Sequence, residues 1–91
     1  MKILWSPAAR ADLADIWRYV AADSIGMATV VENRLIDAVE GLSVFPEKGR
    51  PCRGGCRELV VAKTSHMIVY RVKPDRIEIL RLWHGARGEF G

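Results

Sequence analysis

The sequence has no long hydrophobic run, few aromatic residues and only two cysteines among its 91 residues. Its longest unbroken apolar runs, residues 59–62 and 67–70, are far shorter than the roughly 20 residues needed to cross a bilayer. The first residues hold one lysine and too brief an apolar stretch for a secretory signal. We therefore expect a chain with no membrane span that stays in the cytoplasm.

The two cysteines, Cys52 and Cys56, flank Gly54 and Gly55. A disulfide between them would close a small loop and remove little chain entropy. In a reducing cytoplasm we expect free thiols. Together with His66 and His84 the cysteines match no standard zinc-ligand spacing. The sequence thus predicts neither a metal site nor a cofactor.

The charge balance is mildly basic, with a net charge of +3 and a pI of about 9.2. This suits an acidic protein partner or nucleic acid but is too small to identify either. A chain this short holds one hydrophobic core, so we predict a single domain over residues 1–91. Most of the acidic residues precede a set of basic residues in the second half of the chain, so any basic function belongs there: Arg50, Arg53, Arg57, Arg71, Lys73, Arg76, Arg81 and Arg87.

Two segments carry apolar residues at helical spacing. A short apolar strand, residues 2–5, precedes Ser6 and Pro7, which suit the N-cap and first turn of a helix running from Pro7 to about Ala22. A second helix follows a short connection and should end near Val44. So short a connection favours an antiparallel helical hairpin.

The C-terminal half predicts a loop and three strands. Prolines and glycines make residues 45–55 a loop, and strands are expected at about residues 57–62, 66–73 and 77–83. A turn at residues 73–76 would set four cross-strand pairs, Val72 with Ile77, Arg71 with Glu78, Tyr70 with Ile79 and Val69 with Leu80. The predicted fold class is α+β in the order β-α-α-β-β-β, with the helical hairpin packed on a small antiparallel sheet.

The sequence has no phosphate-binding loop and no familiar hydrolase motif. What remains is a group of strong hydrogen-bond donors on or beside the predicted sheet: Arg57, Tyr70, Arg81, His84 and Arg87. They could clamp phosphate oxygens, with His84 or Tyr70 carrying a proton during attack of a ribose 2′-hydroxyl.

Structural roles compete with this chemistry at each position. Arg57 could cap a sheet edge and Tyr70 could belong to the core with a satisfied hydroxyl. Arg81 sits at an apparently apolar face and either acts on a target or forms an internal ion pair. His84 and Arg87 flank two small residues at a strand exit, where they either point outward to a target or are only solvated.

The order of these segments resembles the RelE/ParE toxin superfamily along essentially the whole chain. The resemblance rests on Trp5-Ser6-Pro7-Ala8-Ala9-Arg10-Ala11-Asp12-Leu13 with Ile16 and Tyr19, Phe45-Pro46, Gly49-Arg50-Pro51, Arg57-Glu58-Leu59, Ile68-Val69-Tyr70-Arg71, Ile79-Leu80 and His84-Gly85-Ala86-Arg87. It implies a helical hairpin laid against a small sheet, a cytoplasmic toxin, and an antitoxin encoded beside it that wraps the toxin surface.

Two activities occur in this superfamily. ParE-like members poison DNA gyrase by binding it, whereas RelE-like members cut mRNA on the ribosome using lysines and arginines of the sheet and often a tyrosine near the C-terminus. Here residues 50–57 contain arginines but no lysine, and no tyrosine follows Tyr70. The resemblance is therefore closer to the ParE branch, and gyrase inhibition without catalysis is the first hypothesis.

The resemblance also indicates residues and partners for each hypothesis. Target binding is assigned to Arg50, Arg57, Tyr70, Arg81, His84 and Arg87. If the chain is instead a ribosome-dependent endoribonuclease, the catalytic set is Arg57, Arg81, His84 and Arg87. A third hypothesis is a weakly active toxin-fold protein that serves as partner of an antitoxin co-repressor. In each case the antitoxin binds the toxin and can carry the complex to operator DNA.

Overall fold

The computed structural model describes residues 1–84 of the chain. This part comprises, in order, β1 (Lys2–Trp5), α1 (Pro7–Ala21), α2 (Ile25–Gly41), β2 (Arg50–Cys52), β3 (Cys56–Val60), β4 (His66–Val72) and β5 (Arg76–His84). No helix in residues 1–84 is both long and apolar enough to cross a membrane. The order contains the predicted β-α-α-β-β-β and adds one short strand, β2.

The two helices begin at the serines that the sequence offers as caps. Ser6 Oγ accepts a hydrogen bond from the Ala9 N–H at 2.9 Å, and Ser24 Oγ accepts one from the Met27 N–H at 3.1 Å. α2 ends at Gly41 rather than near Val44. The residues beyond it continue in tighter turns, which prolong the apolar pattern without being α-helix.

The sheet is mixed, with strand order β1-β5-β4-β3-β2. β3, β4 and β5 form the predicted antiparallel meander, while β1 lies parallel to β5 at one edge. At the other edge β2 pairs with β3, where the sequence predicted only loop. Pro51 is tolerated in β2 because an edge strand need not donate on its outer side.

The predicted register between β4 and β5 holds for three pairs and fails at the fourth. Val72 faces Ile77, Arg71 faces Glu78 and Tyr70 faces Ile79, but Val69 faces Arg81 rather than Leu80. A β-bulge between Val69 and Tyr70 leaves Leu80 without an opposed partner. The extra residue reverses the alternation of β5, so Arg81 lies on the opposite face from Ile77 and Ile79. The sequence-based prediction that Arg81 shares their face is therefore wrong.

Both helices pack on one face of the sheet. The core joins side chains of both helices to sheet side chains and is made of Ala9, Val31, Leu35, Val39, Leu42, Val61, Ile68, Tyr70, Ile77, Ile79 and Leu82. Residues that alternate with these on the strands lie on the opposite side, called here the open face: Lys2, Leu4, Arg50, Cys52, Cys56, Glu58, Val60, Met67, Val69, Arg71, Arg76, Glu78, Arg81 and Trp83. The open face is therefore the charged side of the sheet.

The cysteines are joined by a disulfide, so the expectation of free thiols is wrong for this structure. The reason is the unpredicted strand β2. Its pairing with β3 sets Cys52 directly opposite Cys56, with the Cα atoms 5.2 Å apart, a separation that a disulfide spans without backbone movement. The bond closes the tip of the β2–β3 hairpin around Gly54 and Gly55, which both have positive φ.

Candidate functional site

Tyr70 lies in the core, and its side chain has no exposed surface. Its hydroxyl donates a hydrogen bond to the Pro46 carbonyl oxygen at 2.8 Å and accepts one from the Gly49 N–H at 2.8 Å. Burial raises the pKa of Tyr70, which keeps the phenol neutral. The ring packs in the core as expected, and the hydroxyl holds the loop before β2.

Arg57 lies on β3 directly opposite Tyr70 and reaches the same loop. Its Nη1 donates to the Gly49 carbonyl oxygen at 2.7 Å, with a longer contact to that of Glu47 at 3.5 Å. A Cβ added to Gly49 would lie 2.8 Å from the backbone carbonyl oxygen of Glu58 and 2.8 Å from the Tyr70 ring. Glycine is therefore needed there for the loop to approach the sheet this closely. Arg57 and Tyr70 together fix the loop over residues 46–49.

The residues directly before this loop present two apolar side chains to solvent. Val44 is 68% exposed and Phe45 is 66% exposed. The Phe45 N–H donates to the Gly41 carbonyl oxygen at 3.1 Å, and the Lys48 N–H donates to the Phe45 carbonyl oxygen at 3.1 Å. The second bond closes a β-turn that has Pro46 at its second position, where proline is favoured. The sequence marked this segment only as a loop, because a pattern of prolines and glycines does not reveal which side chain is exposed.

Arg81 forms a bidentate ion pair with Asp12 of α1. Its Nε and Nη2 lie 2.8 and 3.0 Å from the two carboxylate oxygens, and the Leu82 N–H donates to the same carboxylate at 2.9 Å. These hydrogen bonds raise the pKa of Arg81, so the guanidinium stays charged. The central guanidinium carbon of Arg81, Cζ, also lies 5.3 Å from the centre of the Trp83 ring. The internal ion pair that competed with a functional role is thus present, while 43% of the Arg81 side chain remains exposed.

Three further arginines lie on the open face and also have partners. Arg50 Nε is 2.6 Å from Glu58 Oε1, Arg76 Nε is 3.0 Å from Glu78 Oε2, and Arg71 Nη2 donates to the Gly54 carbonyl oxygen at 3.1 Å. The Arg50 side chain is nevertheless 72% exposed. This face can bind phosphate oxygens or acidic side chains through the donors that each guanidinium still has available.

The two histidines lie together at the other end of β4 and β5. His66 faces His84, with the rings edge to face and their centres 5.2 Å apart. Burial, and then the proximity of His84, lowers the pKa of His66. Its Nδ1 is buried and has no hydrogen-bond partner within residues 1–84. By strand alternation both rings lie on the helix side of the sheet, away from Arg81.

The structure thus divides the residues that the sequence grouped together. Arg57 and Tyr70 meet at the loop, Arg50 and Arg81 lie on the open face, and His84 lies on the other side. Arg87 lies outside the described residues. The sequence did not identify Asp12, Glu58 and Phe45 as site residues. Asp12 and Glu58 are recognised only from their contacts with Arg81 and Arg50 in the folded chain.

With this geometry the chain can be compared with known proteins. Residues 3–88 match the family model described as the ParE toxin of the type II toxin–antitoxin system parDE. The Sinorhizobium fredii protein Y4kP is 37% identical over 84 residues, covering 91% of this chain and 86% of the relative. Toxin RelE2 of Caulobacter vibrioides is 35% identical over 86 residues, covering 94% and 97%.

A solved structure agrees with these relatives. The chromosomal ParDE toxin–antitoxin system from P. aeruginosa includes a chain that superposes with a TM-score of 0.82 at 28% identity, covering 92% of this chain and 95% of that one. A helical hairpin on one face of a small sheet is the α+β toxin fold that the sequence predicted, with β1 added to the predicted antiparallel strands as a parallel edge strand. The chain belongs to the ParE toxin family of type II toxin–antitoxin systems. Membership implies an antitoxin partner and confirms the resemblance found in the sequence.

Proposed function

We propose that this toxin arrests growth by binding DNA gyrase and trapping it on broken DNA, with no catalysis of its own. The observation that carries the proposal is the composition of the open face. Within residues 1–84 that face holds arginines already engaged with carboxylates or a carbonyl, and neither histidine nor tyrosine lies on it. Such a face can recognise a target, but within residues 1–84 it offers no histidine or tyrosine to carry a proton during RNA cleavage.

The predicted target-binding residues take different roles in this proposal. Arg50 and Arg81 contact the target, since both keep exposed donors. Arg57 and Tyr70 act as positioning residues for the loop they hold. His84 contributes from the end of β5, on the other side of the sheet from Arg81, and Arg87 keeps the target-binding role that the sequence gave it. The toxin acts in the cytoplasm, and its antitoxin holds it inactive and carries it to operator DNA.

Ribosome-dependent mRNA cleavage is the second candidate. The exposed donors of Arg50 and Arg81, beside the Trp83 ring, would suit a phosphate backbone and a stacked base. The name of one relative, toxin RelE2, belongs to the RelE side of the superfamily. Among the strand residues of this face within residues 1–84, Glu58 and Glu78 carry carboxylates, and each carboxylate is paired with an arginine.

The two candidates separate in growing cells. The chain would be induced without antitoxin, and chromosomal DNA breaks and mRNA 5′ ends would be followed in the same culture. Gyrase poisoning predicts DNA breaks while mRNA stays intact in the first minutes. Codon-aligned mRNA cuts with unbroken DNA would replace the first candidate by the second. Growth without either effect would favour a weakly active partner of the antitoxin.

A further inference from the structure

Phe45 is an exposed aromatic residue on a backbone that is fixed before any partner arrives. Its N–H is bonded to Gly41, and its carbonyl oxygen accepts the Lys48 N–H. The next residue, Pro46, has its carbonyl bonded to the buried hydroxyl of Tyr70. Gly49 is held on both its N–H and its carbonyl, by Tyr70 and Arg57. The loop is therefore tied to α2, β3 and β4 at once.

This arrangement is unusual for a loop that only connects two elements. A buried tyrosine and a partly buried arginine hold the chain in one shape, yet the residue so placed points its ring into water. Exposing a large aromatic side chain costs hydrophobic free energy that folding alone does not recover. Fixing it in advance reduces the entropy lost on binding, and such rigid aromatic residues are enriched among those that dominate protein interfaces.

The surroundings of Phe45 indicate the chemistry of the partner. Val44 extends the apolar surface, and residues 44–48 line one shallow depression. Glu47 and Lys48 line the same depression. Arg50 follows two residues later; its pair with Glu58 is formed through Nε, and its side chain stays 72% exposed while that of Glu58 is 11% exposed, so the cations are the more accessible charges. One aromatic and one valine are too small an apolar area to anchor on a membrane, and valine offers nothing to a nucleic acid base. A protein pocket that is apolar within and acidic at its rim fits best.

We propose that residues 44–50 form an anchor by which the toxin docks on its protein target, with Phe45 entering an apolar pocket and Lys48 and Arg50 meeting its acidic rim. The inference rests on the proposed function, since gyrase is the target named there. It adds the contact residues and the character of the complementary surface on the target.

The first test compares Phe45→Ala with Ile25→Ala, a matched control because Ile25 is an apolar residue at the start of α2, away from the open face, and is 66% exposed like Phe45. Binding to purified gyrase and growth arrest on induction would be measured, with thermal midpoints to verify folding. Phe45→Ala should weaken gyrase binding at least tenfold and relieve arrest, while Ile25→Ala stays within twofold of the wild type. Wild-type arrest and binding by folded Phe45→Ala would overturn the anchor.

The acidic rim of the target pocket is tested with a pair of charge-reversal variants. Lys48→Glu should slow association with gyrase severalfold at low salt, and Glu47→Lys should leave it unchanged or faster, because the rim is acidic. The opposite order of the two variants would overturn the acidic rim. If wild-type toxin does not bind gyrase at all, the proposed target fails. The comparison of growth arrest between Phe45→Ala and Ile25→Ala then still tests the anchor.

Tyr70→Phe tests the positioning role separately. It keeps Phe45 but removes the hydroxyl that holds residues 46 and 49. A folded Tyr70→Phe variant should bind gyrase more weakly than wild type but more tightly than Phe45→Ala, with the change mainly in association rate because the loop must be ordered first. Binding equal to wild type would show that the fixed loop is not part of the recognition.

Discussion

The Asp12 carboxylate holds the Arg81 guanidinium and the Leu82 N–H at the same time, at distances of 2.8 to 3.0 Å. β1 pairs with β5 only as far as Ile79, and beyond it Ser6 takes over with bonds to residues 79 and 80. Asp12 continues this role from the first turns of α1. The helix thereby satisfies an edge of β5 that would otherwise lack a partner.

Replacing Asp12 separates the two functions of its carboxylate. Asp12→Ala leaves the Leu82 N–H unsatisfied in a partly buried place and should lower the free energy of unfolding by about 1–3 kcal/mol. Asp12→Asn can still accept that N–H and loses mainly the ion pair, which is worth less than about 1 kcal/mol because Arg81 is 43% exposed. Urea unfolding of both variants checks this, and equal losses would contradict the assignment of the N–H bond.

The hydroxyl of Tyr70 should make stability depend on alkaline pH. Burial raises its pKa above the ordinary value of 10.0, so the folded protein holds the phenol proton more tightly than the unfolded chain. This contribution is fully present below pH about 10 and is lost as pH rises through the folded-state pKa. Unfolding measured from pH 8 to 11 should show the decline.

Tyr70→Phe provides the control for that titration and a prediction at neutral pH. It leaves the Gly49 N–H and the Pro46 carbonyl without their buried partner, and the expected loss of unfolding free energy is about 1–3 kcal/mol. The variant should also show a weaker dependence on alkaline pH than the wild type. An unchanged alkaline decline would mean that other groups cause it.

His66 should make stability depend on pH on the acidic side. Burial lowers its pKa below 6.5, and His84 lowers it further, so the folded state disfavours the charged ring. The unfolded chain then binds the proton first, and this contribution is complete above pH about 6.5 and declines as pH falls. Replacing His66 by Gln should reduce the difference in unfolding free energy between pH 7.5 and pH 5.5. The same difference in both proteins would exclude His66 as its source.

The disulfide should add a modest amount to stability, because the loop that it closes is short. It joins residues separated by 4 positions, and the loop-closure estimate for so short a ring is about 2 kcal/mol. Reduced wild type and Cys52→Ser should therefore remain folded, with an unfolding free energy lower by about this amount. Urea unfolding with and without reductant measures the difference. Loss of folding on reduction would show that the β2–β3 hairpin depends on the bond.

Much of the fold follows from local patterns in the sequence. Apolar spacing and serine caps predict both helices, and runs of β-branched residues with one proline turn predict β3, β4 and β5. β2 is not predicted because it is three residues long and contains Pro51. Proline argues against a strand unless that strand is known to lie at the edge of the sheet. The parallel pairing of β1 with β5 depends on contacts across almost the whole chain and has no local signal.

The positions of the site residues were less predictable, because they also depend on contacts between segments that are distant in the sequence. A single extra residue at Leu80 reverses which side of the sheet Arg81 faces, and periodicity cannot show a bulge before the pairing is known. The partner of Arg81 is 69 residues away in sequence. Tyr70 could be expected in the core, but not its two bonds to the loop. Exposure of Phe45 follows from those bonds and not from its own residue type.

The most direct test of gyrase poisoning adds the purified toxin to purified gyrase, ATP and supercoiled plasmid, and measures the DNA held as protein-linked double-strand breaks. Gyrase poisoning predicts that breaks accumulate with toxin concentration and that DNA without gyrase stays intact. A parallel reaction with translating ribosomes should leave the mRNA whole. Unbroken plasmid together with codon-aligned cuts in the mRNA would contradict gyrase poisoning.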